Sequence, residues 1–457
     1  MKNYKSSHYN HFIYLEDENT YLIYNSISNG LAKLEPEVFN LLNSGKEGIA
    51  KLEGDQSKKD MIDQLHKGNI IIDSDFDEIE FLRTRFNMGK FGQKNLFLTI
   101  IPTNDCNLDC LYCYEGNRAH KYPYDVLEED IFKFTAERIK SIGYKSLHVT
   151  WYGGEPLLNK EFIFSLSKKL MRLCKDQKLN YGAMIVTNGT LLNKTTAESL
   201  KRYKIGYVQI TIDGPQEIHD QRRPVKNSKK SSYHTIVRNV EWVLGIIPIQ
   251  IRVNVDKTNF SNTVQLLETL EKKGFLERPR DISIYLGYTR EWTYKCSNIL
   301  PVCFSMKEFS EAELEFQKSL IARGFNVSNI YPNPQAICVA VTPNGFVIEP
   351  GGEIHKCWSD VGIQEAYLGN VREPLELNGK LLKWLSYDPL SQSPGCRECK
   401  FFPICGGGCP YVFIKQREKL MSDKNYNCTP WKILLKEKIR LFLEAKAKEV
   451  SKKTKNK

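Results

Sequence analysis

Three cysteines spaced CxxxCxxC, at Cys106, Cys110 and Cys113, stand directly after the apolar run Asn95 to Pro102. Thiolates in that number and spacing suit iron better than zinc. A structural zinc takes four protein ligands, usually as separated CxxC pairs, whereas a tight triplet with no nearby fourth Cys or His suits an open-cornered iron cluster. An iron open at that corner can bind a small molecule. The other reading is three ordinary buried thiols. A second cysteine series in the last third weighs against it: Cys338, Cys357, then Cys396-x2-Cys399-x5-Cys405-x3-Cys409, and Cys428. Iron clusters and a pair of zinc knuckles are both chemically open to that series.

The elements that must position the triplet follow from hydrophobic periodicity. Between residues 93 and 290 short apolar runs alternate with helical patterns, the signature of repeated β-α units and a parallel sheet. Six strands are expected, at Asn95 to Pro102, Ser146 to Tyr152, Tyr181 to Thr187, Tyr207 to Asp213, Ile249 to Asp256 and Asp281 to Gly287. Helices are expected between them, as at Leu127 to Ile142, Glu161 to Cys174 and Thr263 to Lys273. Six units make a partial (β/α)6 TIM-like barrel, an α/β fold whose chemistry gathers at the strand C-termini. The cysteine loop follows strand one, Gly153-Gly154-Glu155-Pro156 strand two, Asn188-Gly189 strand three and Asp213-Gly214 strand four. Four such ends converge on one mouth.

Composition bounds the remaining choices. A chain of 457 residues holds two or three domains, and 41% hydrophobic with 11% aromatic residues is ordinary for a soluble globular protein. No run of about 18 apolar residues offers a membrane span. Met1-Lys2-Asn3-Tyr4-Lys5 leads into polar sequence without an apolar signal core, so a cytoplasmic protein is expected. Thirteen cysteines in a reducing compartment favour metal or redox chemistry over disulfides, and the odd count agrees. The formal net charge of +11 gathers largely in the polar tail 446–457 and in the loop Lys226 to Lys230. No basic stripe is interleaved with aromatics, so neither nucleic acid nor membrane is expected as a partner, whereas an acidic peptide suits this charge.

From about residue 93 to 435 the chain resembles the radical S-adenosylmethionine (SAM) enzymes with a SPASM domain, of the peptide-modifying type related to anaerobic sulfatase-maturing enzymes. That resemblance implies that Cys106, Cys110 and Cys113 hold a 4Fe-4S cluster whose open iron is chelated by the methionine part of SAM. Tyr112, before the third cysteine, would lie near the adenine. Trp151-Tyr152-Gly153-Gly154-Glu155-Pro156 resembles the family's GGEP segment, in which Gly153 and Gly154 let the backbone approach the ligand and Glu155 accepts hydrogen bonds from the SAM ammonium. Thr187-Asn188-Gly189 and Thr211-Ile212-Asp213-Gly214 resemble ribose-side segments, which implies Asn188, Thr211 and Asp213 as contacts; each alone would be a plain turn. His219-Asp220-Gln221-Arg222-Arg223 resembles another recurring stretch, where Arg223 either touches SAM or braces the loop. Asn254, ending strand five, is a further candidate.

The later cysteines resemble SPASM positions, with Gly352 between the first two. By that resemblance Cys396, Cys399, Cys405 and Cys428 would bind a distal auxiliary 4Fe-4S cluster, and Cys338, Cys357 and Cys409 a nearer one, making three clusters with the first. Gly406-Gly407-Gly408 favours a tight backbone wrap around a bulky group. Sulfatase-maturing relatives place a further cysteine just before the first SPASM position, but residues 330–337 contain none. The near cluster would keep an open iron, which could ligate a substrate thiolate, or be completed by Cys303 or Cys296; otherwise these are small buried hydrophobes, as Cys174 is expected to be. Those relatives also carry an Asp directly after the second SPASM cysteine as a base; here Cys357 is followed by Trp358-Ser359-Asp360, leaving Asp360 as a candidate substitute.

The expected organisation is a small α+β domain at 1–92, resembling a peptide-recognition element; the barrel at 93–300; a bridge at 301–337; the SPASM domain at 338–435; and a helix end with basic tail at 436–457. The expected activity is reductive cleavage of SAM and hydrogen abstraction from a short ribosomal precursor peptide, installing a thioether or carbon-carbon crosslink, with flavodoxin or ferredoxin as electron donor. The alternatives are an anaerobic sulfatase maturase forming formylglycine and a non-catalytic metal-binding scaffold for peptide or nucleic acid.

Overall fold

In a computed structural model that describes residues 3–113, 125–278, 280–291, 299–325, 327, 329–334, 336–420 and 427–455, the chain forms two units, neither contiguous in sequence. One comprises Met1–Gly92, Asn329–Cys338 and Tyr387–Lys457; the other comprises Gln93–Ser328 and Val339–Ser386. Cys296 lies outside the described residues. No described helix is long and apolar enough to cross a membrane.

The first unit contains strands β1 (Tyr4–Ser6), β2 (Asn10–Leu15), β3 (Thr20–Asn25), β4 (Gly30–Leu34) and β5 (Ile71–Asp73). β1 pairs antiparallel with β5, and β2-β3-β4 form an antiparallel sheet in that order. Side chains alternate across a strand, so β3 sends Ile23 to one face and Leu22 and Tyr24 to the other. Ile23 joins a core with Val38, Leu42, Ile49 and Leu65, from the helices Pro36–Asn43, Lys46–Glu53 and Lys59–Lys67. Leu22 and Tyr24 pack with Ile404, Leu435 and Ile439, the last two from the helix Trp431–Lys455. One sheet therefore organises both the first 92 residues and the cysteine-rich end of the chain.

The second unit carries the expected parallel strands, β6 (Asn95–Ile100), β7 (Ser146–Trp151), β8 (Asn180–Thr187), β9 (Ile205–Thr211), β10 (Ile249–Val255) and β11 (Ile282–Tyr288). Each pairs with the next in sequence, with Leu98 opposite Val149 and Ile251 opposite Ile210 and Ile284. Helices Asp125–Ile142, Lys160–Asp176, Lys194–Arg202, Ser232–Val243 and Thr263–Lys272 intervene, as hydrophobic periodicity predicts. Sequence reading did not foresee the continuation of the sheet. β12 (Gly345–Ile348) adds parallel to β6, and β13 (Glu353–His355) and β14 (Gly369–Asn370) follow antiparallel, giving nine strands in the order β11-β10-β9-β8-β7-β6-β12-β13-β14. The short helix Gln216–Arg222 was also unforeseen.

Candidate active site

A cavity of about 370 Å³ opens at the C-terminal ends of the parallel strands. Cys106, Cys110 and Cys113 line it, with Tyr112, Gly153, Gly154, Thr187, Asn188, Thr211, Arg223 and Asn254. Two glycines hold the cysteine loop against the loop after β7. Gly153 has φ 119°, and a Cβ there would stand 2.5 Å from Ile101 Cγ2 and 2.7 Å from the Thr103 carbonyl oxygen. A Cβ on Gly154 would overlap the Asp105 carbonyl and stand 2.6 Å from that of Asn104. This close approach lets Gly154 N–H donate to Thr103 O at 3.2 Å and Glu155 N–H to Asp105 O at 2.8 Å. On its other side the cysteine loop is tied to residues 222–226: Asp109 N–H donates to Pro224 O at 2.9 Å, Leu111 N–H to Arg222 O at 3.0 Å, and Lys226 N–H to Asn107 O at 2.9 Å.

Glu155 is fully buried and lies beneath the cavity wall. Its Oε1 accepts from Leu157 N–H at 3.0 Å and from Thr187 Oγ1 at 2.6 Å, and its Oε2 accepts from Asn188 N–H at 2.7 Å. Burial pushes the carboxyl up from its ordinary range, opposed by those three bonds. Its observed work is to fix Asn188, whose Nδ2 donates to Asn107 Oδ1 at 2.7 Å and lies 3.8 Å from Cys106 Sγ.

A second network fixes Tyr112. Its hydroxyl donates to Asp213 Oδ2 and accepts from Arg223 Nη1 at 2.8 Å and Asn254 Nδ2 at 3.1 Å. Asp213, also buried beneath the wall, accepts Asn254 N–H at 3.1 Å. Arg222 reaches Asp256 at 2.7 Å and Asp213 at 3.5 Å, with its guanidinium 5.0 Å from the centre of the Tyr112 ring. The HDQRR stretch therefore has split duties. Arg222 braces the buried aspartates, and Arg223 faces the cavity.

Several wall residues escaped the sequence reading: Gln209, Lys226, Arg252, Tyr288, Thr289 and Arg290. Arg252 Nε donates to Asn254 Oδ1 at 2.7 Å across a gap that exists because residue 287 is glycine; a Cβ there would overlap both atoms. The available signal was the alternation of Gln250, Arg252 and Asn254 with Ile249, Ile251 and Val253 along β10.

Residues 100–273 match the family model of the Radical SAM superfamily. The chain carries a radical SAM domain. It is 23% identical to the radical SAM cyclopropyl synthase TigE of Paramaledivibacter caminithermalis, over 93% of each chain. It is 25% identical to the cysteine-type anaerobic sulfatase-maturating enzyme of Clostridium novyi, over 69% of this chain and 88% of that one. Its fold is similar to that of anSMEcpe with bound AdoMet and a Kp18Cys peptide (TM-score 0.58, 21% identity, 77% of this chain and 99% of that one). It is also similar to Streptococcus suis SuiB bound to precursor peptide SuiA (TM-score 0.52, 16% identity, 94% and 99%). The protein is thus an enzyme with a radical SAM domain over residues 100–273, similar over most of its length to proteins named as a cyclopropyl synthase and as a sulfatase-maturating enzyme.

The radical SAM superfamily implies SAM and a 4Fe-4S cluster, and the cavity fits that pair. Among the described residues no three His, Cys, Asp or Glu side chains converge as a single ion requires. A four-iron cluster instead takes each thiolate at a different iron, which three sulfurs spread around one cavity can supply. Leu108 N–H lies 3.5 Å from Cys106 Sγ, a donor of the kind that sulfur ligands accept. Burial pushes the Cys106 thiol up to about 11 and the Cys110 thiol up to about 12, so metal must displace protons to bind there.

The other cysteines divide between the units. Among the described residues all cysteines are free thiols. In the first unit Cys396, Cys399, Cys405 and Cys428 lie close enough to act on one another electrostatically, and burial pushes Cys405 up to about 11. Gly406, Gly407 and Gly408 all have positive φ (61°, 86° and 77°), and Cys409 N–H donates to Asn427 Oδ1 at 2.9 Å. A Cβ on Gly408 would overlap the Asn427 carbonyl, so the wrap depends on glycine. Cys338 and Cys409 flank Tyr387 in this unit. Cys357 belongs to the barrel unit, where the next residue, Trp358, stacks on Tyr152 at 5.2 Å and Asp360 is buried. Cys303 is half-buried beside Tyr288, its Sγ 3.2 Å from Ile299 O, and Cys174 is buried in its helix.

Proposed function

We propose that the protein modifies a short ribosomal precursor peptide, forming a thioether or carbon-carbon bond. The observation that carries the proposal is the cavity, in which the three thiols, Asn188, Thr211, Arg223 and Asn254 share one wall. A four-iron cluster held by Cys106, Cys110 and Cys113 would, when bound and reduced, supply the electron for reductive cleavage of SAM. The chain's own residues hold and orient. Cys106, Cys110 and Cys113 are the cluster ligands; Tyr112, Gly153, Gly154, Asn188, Thr211 and Arg223 form the SAM wall. Glu155 and Asp213 order Asn188 and Tyr112 from below, and the protein's part is exclusion of water and exact placement. Auxiliary clusters on the later cysteines belong to the proposal, one of them on Cys396, Cys399, Cys405 and Cys428, with flavodoxin or ferredoxin as the electron source.

A peptide substrate is supported by two solved structures of similar fold that hold a peptide. β4 supports it too: it ends the sheet β2-β3-β4 and offers an edge to which an extended leader can add as a further strand. A sulfatase-maturase activity is the second reading, favoured by the similarity to enzymes so named. The residue after Cys357 weighs against it. Trp358 occupies the place of the relatives' base, and the substitute Asp360 is not among the residues lining the cavity.

The test is anaerobic reconstitution with iron and sulfide, followed by dithionite and SAM. About 12 iron per chain and formation of 5'-deoxyadenosine are expected, the latter abolished by Cys106→Ala. Mass spectrometry of short peptides encoded beside the gene, co-expressed with wild type and with Cys106→Ala, reads the bond. Full iron loading without SAM cleavage would refute the proposal.

A further inference from the structure

His8 and the first residues of β2 grip the backbone on both sides of Cys399. His8 Nε2 lies 3.0 Å from the Glu398 carbonyl oxygen, and His11 Nε2 lies 3.2 Å from that of Lys400. Ser26 Oγ donates to the same Lys400 oxygen at 2.6 Å, and Lys400 Nζ donates to Asn10 O at 3.4 Å. Residue 8 thus holds residue 398, and residues 10 and 11 hold residue 400. That register sets Tyr9 opposite Cys399. The Tyr9 backbone is fixed as well, its N–H donating to Ser7 Oγ at 3.1 Å and its carbonyl accepting Ser26 N–H at 3.1 Å.

Tyr9 has no exposed surface, and its hydroxyl, sealed from solvent, has no hydrogen-bond partner among the described residues. Buried hydroxyls are rarely left so, because the desolvated O–H loses its water without compensation. A tyrosine phenol is protonated at neutral pH, so the Tyr9 hydroxyl is a donor. Sulfurs of an iron-sulfur cluster are acceptors for such donors, and each hydrogen bond they accept stabilises the more negative reduced cluster and raises its potential.

We propose that Tyr9 donates its O–H to a sulfur of the group held by Cys396, Cys399, Cys405 and Cys428, as a positioning residue that tunes the potential of that auxiliary cluster. The inference rests on the auxiliary-cluster reading above. It gives the N-terminal segment a role in electron transfer distinct from peptide recognition.

The test uses the full chain reconstituted anaerobically as wild type, Tyr9→Phe and Tyr24→Phe. Tyr24 is the control: it is equally buried in the same unit, but its hydroxyl already donates to Asn29 Oδ1 at 2.9 Å. Iron and zinc are counted, and each cluster's midpoint potential is followed by EPR during redox titration. Tyr9→Phe is expected to keep the wild-type iron content while one auxiliary midpoint moves to more negative potential and the others stay; Tyr24→Phe moves none. Full iron loading with no shift in Tyr9→Phe, or the same shift in both variants, overturns the role of Tyr9 alone. Zinc in place of iron, or only about 4 iron per wild-type chain, overturns the auxiliary-cluster reading and this inference with it.

Discussion

Replacing Gly154 with alanine tests whether the cysteine loop is held in place by backbone contact. The added Cβ would stand 2.6 Å from the Asn104 carbonyl oxygen and overlap that of Asp105. Ordinary contact needs about 3.5 Å, so the loop preceding Cys106 must retreat by about 1 Å. The opposing atoms are backbone, with no flexible side chain to yield, which places the strain toward the upper end of the ~1–3 kcal/mol typical of overpacking. A comparable displacement of reacting groups costs about 100-fold in rate. Gly154→Ala is therefore expected to fold with reduced stability and to cut 5'-deoxyadenosine formation by roughly two orders of magnitude. Iron content and single-turnover SAM cleavage, measured together, separate lost cluster from misplaced cluster. Gly182→Ala is the control, because its Cβ would meet nothing nearer than His148 Nδ1 at 3.5 Å. A Gly154→Ala enzyme with wild-type iron and wild-type cleavage rate would refute the reasoning.

Two further expectations concern stability. Arg222→Gln strips buried Asp213 and Asp256 of their cation and should cost about 3–5 kcal/mol, read from the urea midpoint at constant slope; a loss under about 1 kcal/mol would show that the pair is solvated. Glu308 closes a capping box with Ser305 on the helix Met306–Arg323, and bonds from Ser305 with help from Lys257 hold its carboxyl down at about 2. A carboxyl depressed on folding adds stability that is present above its unfolded value near 4.5 and is lost as pH falls toward 2. Glu308→Gln should therefore flatten the acid limb of the melting curve between about pH 5 and 2, a small effect because the group is exposed, while Ser305→Ala costs about 1 kcal/mol at neutral pH.

The barrel strands were legible because apolar runs of strand length, broken by helical periodicity, admit few other folds. All six lie within two residues of the expected ends. β12 to β14 were not legible: two to four residues long, they carry too little periodicity to distinguish them from turns. The cysteine triplet and GGEP segment announced themselves, but what Glu155 does there did not. A carboxylate after a strand reads as a ligand contact, whereas its depth, and the three donors it satisfies, follow from how β7 and β8 sit side by side. Tyr9 was invisible for a related reason, since its meaning depends on a partner some 390 residues away in sequence.

The cavity wall is predominantly basic. The formal excess of +11 looked like solvated ends, yet Arg223, Lys226, Arg252 and Arg290 all stand on the cavity wall, against Asp109 as the acidic residue there. Arg223 is placed where it matters most for assembly. It opposes the upward push of burial on both Cys106 and Cys110, easing the deprotonation that metal binding requires. Three thiolates gathered in a partly desolvated cavity repel one another, and cations at wall distance offset that repulsion far better there than in water. Arg223 reaches its place because Arg222, one residue earlier, is committed to Asp256 and Asp213, and because Tyr112 accepts the Arg223 guanidinium while donating to Asp213. The two adjacent arginines thus divide the labour: one neutralises buried carboxylates so that the strand ends hold, and the other is left to face the sulfurs.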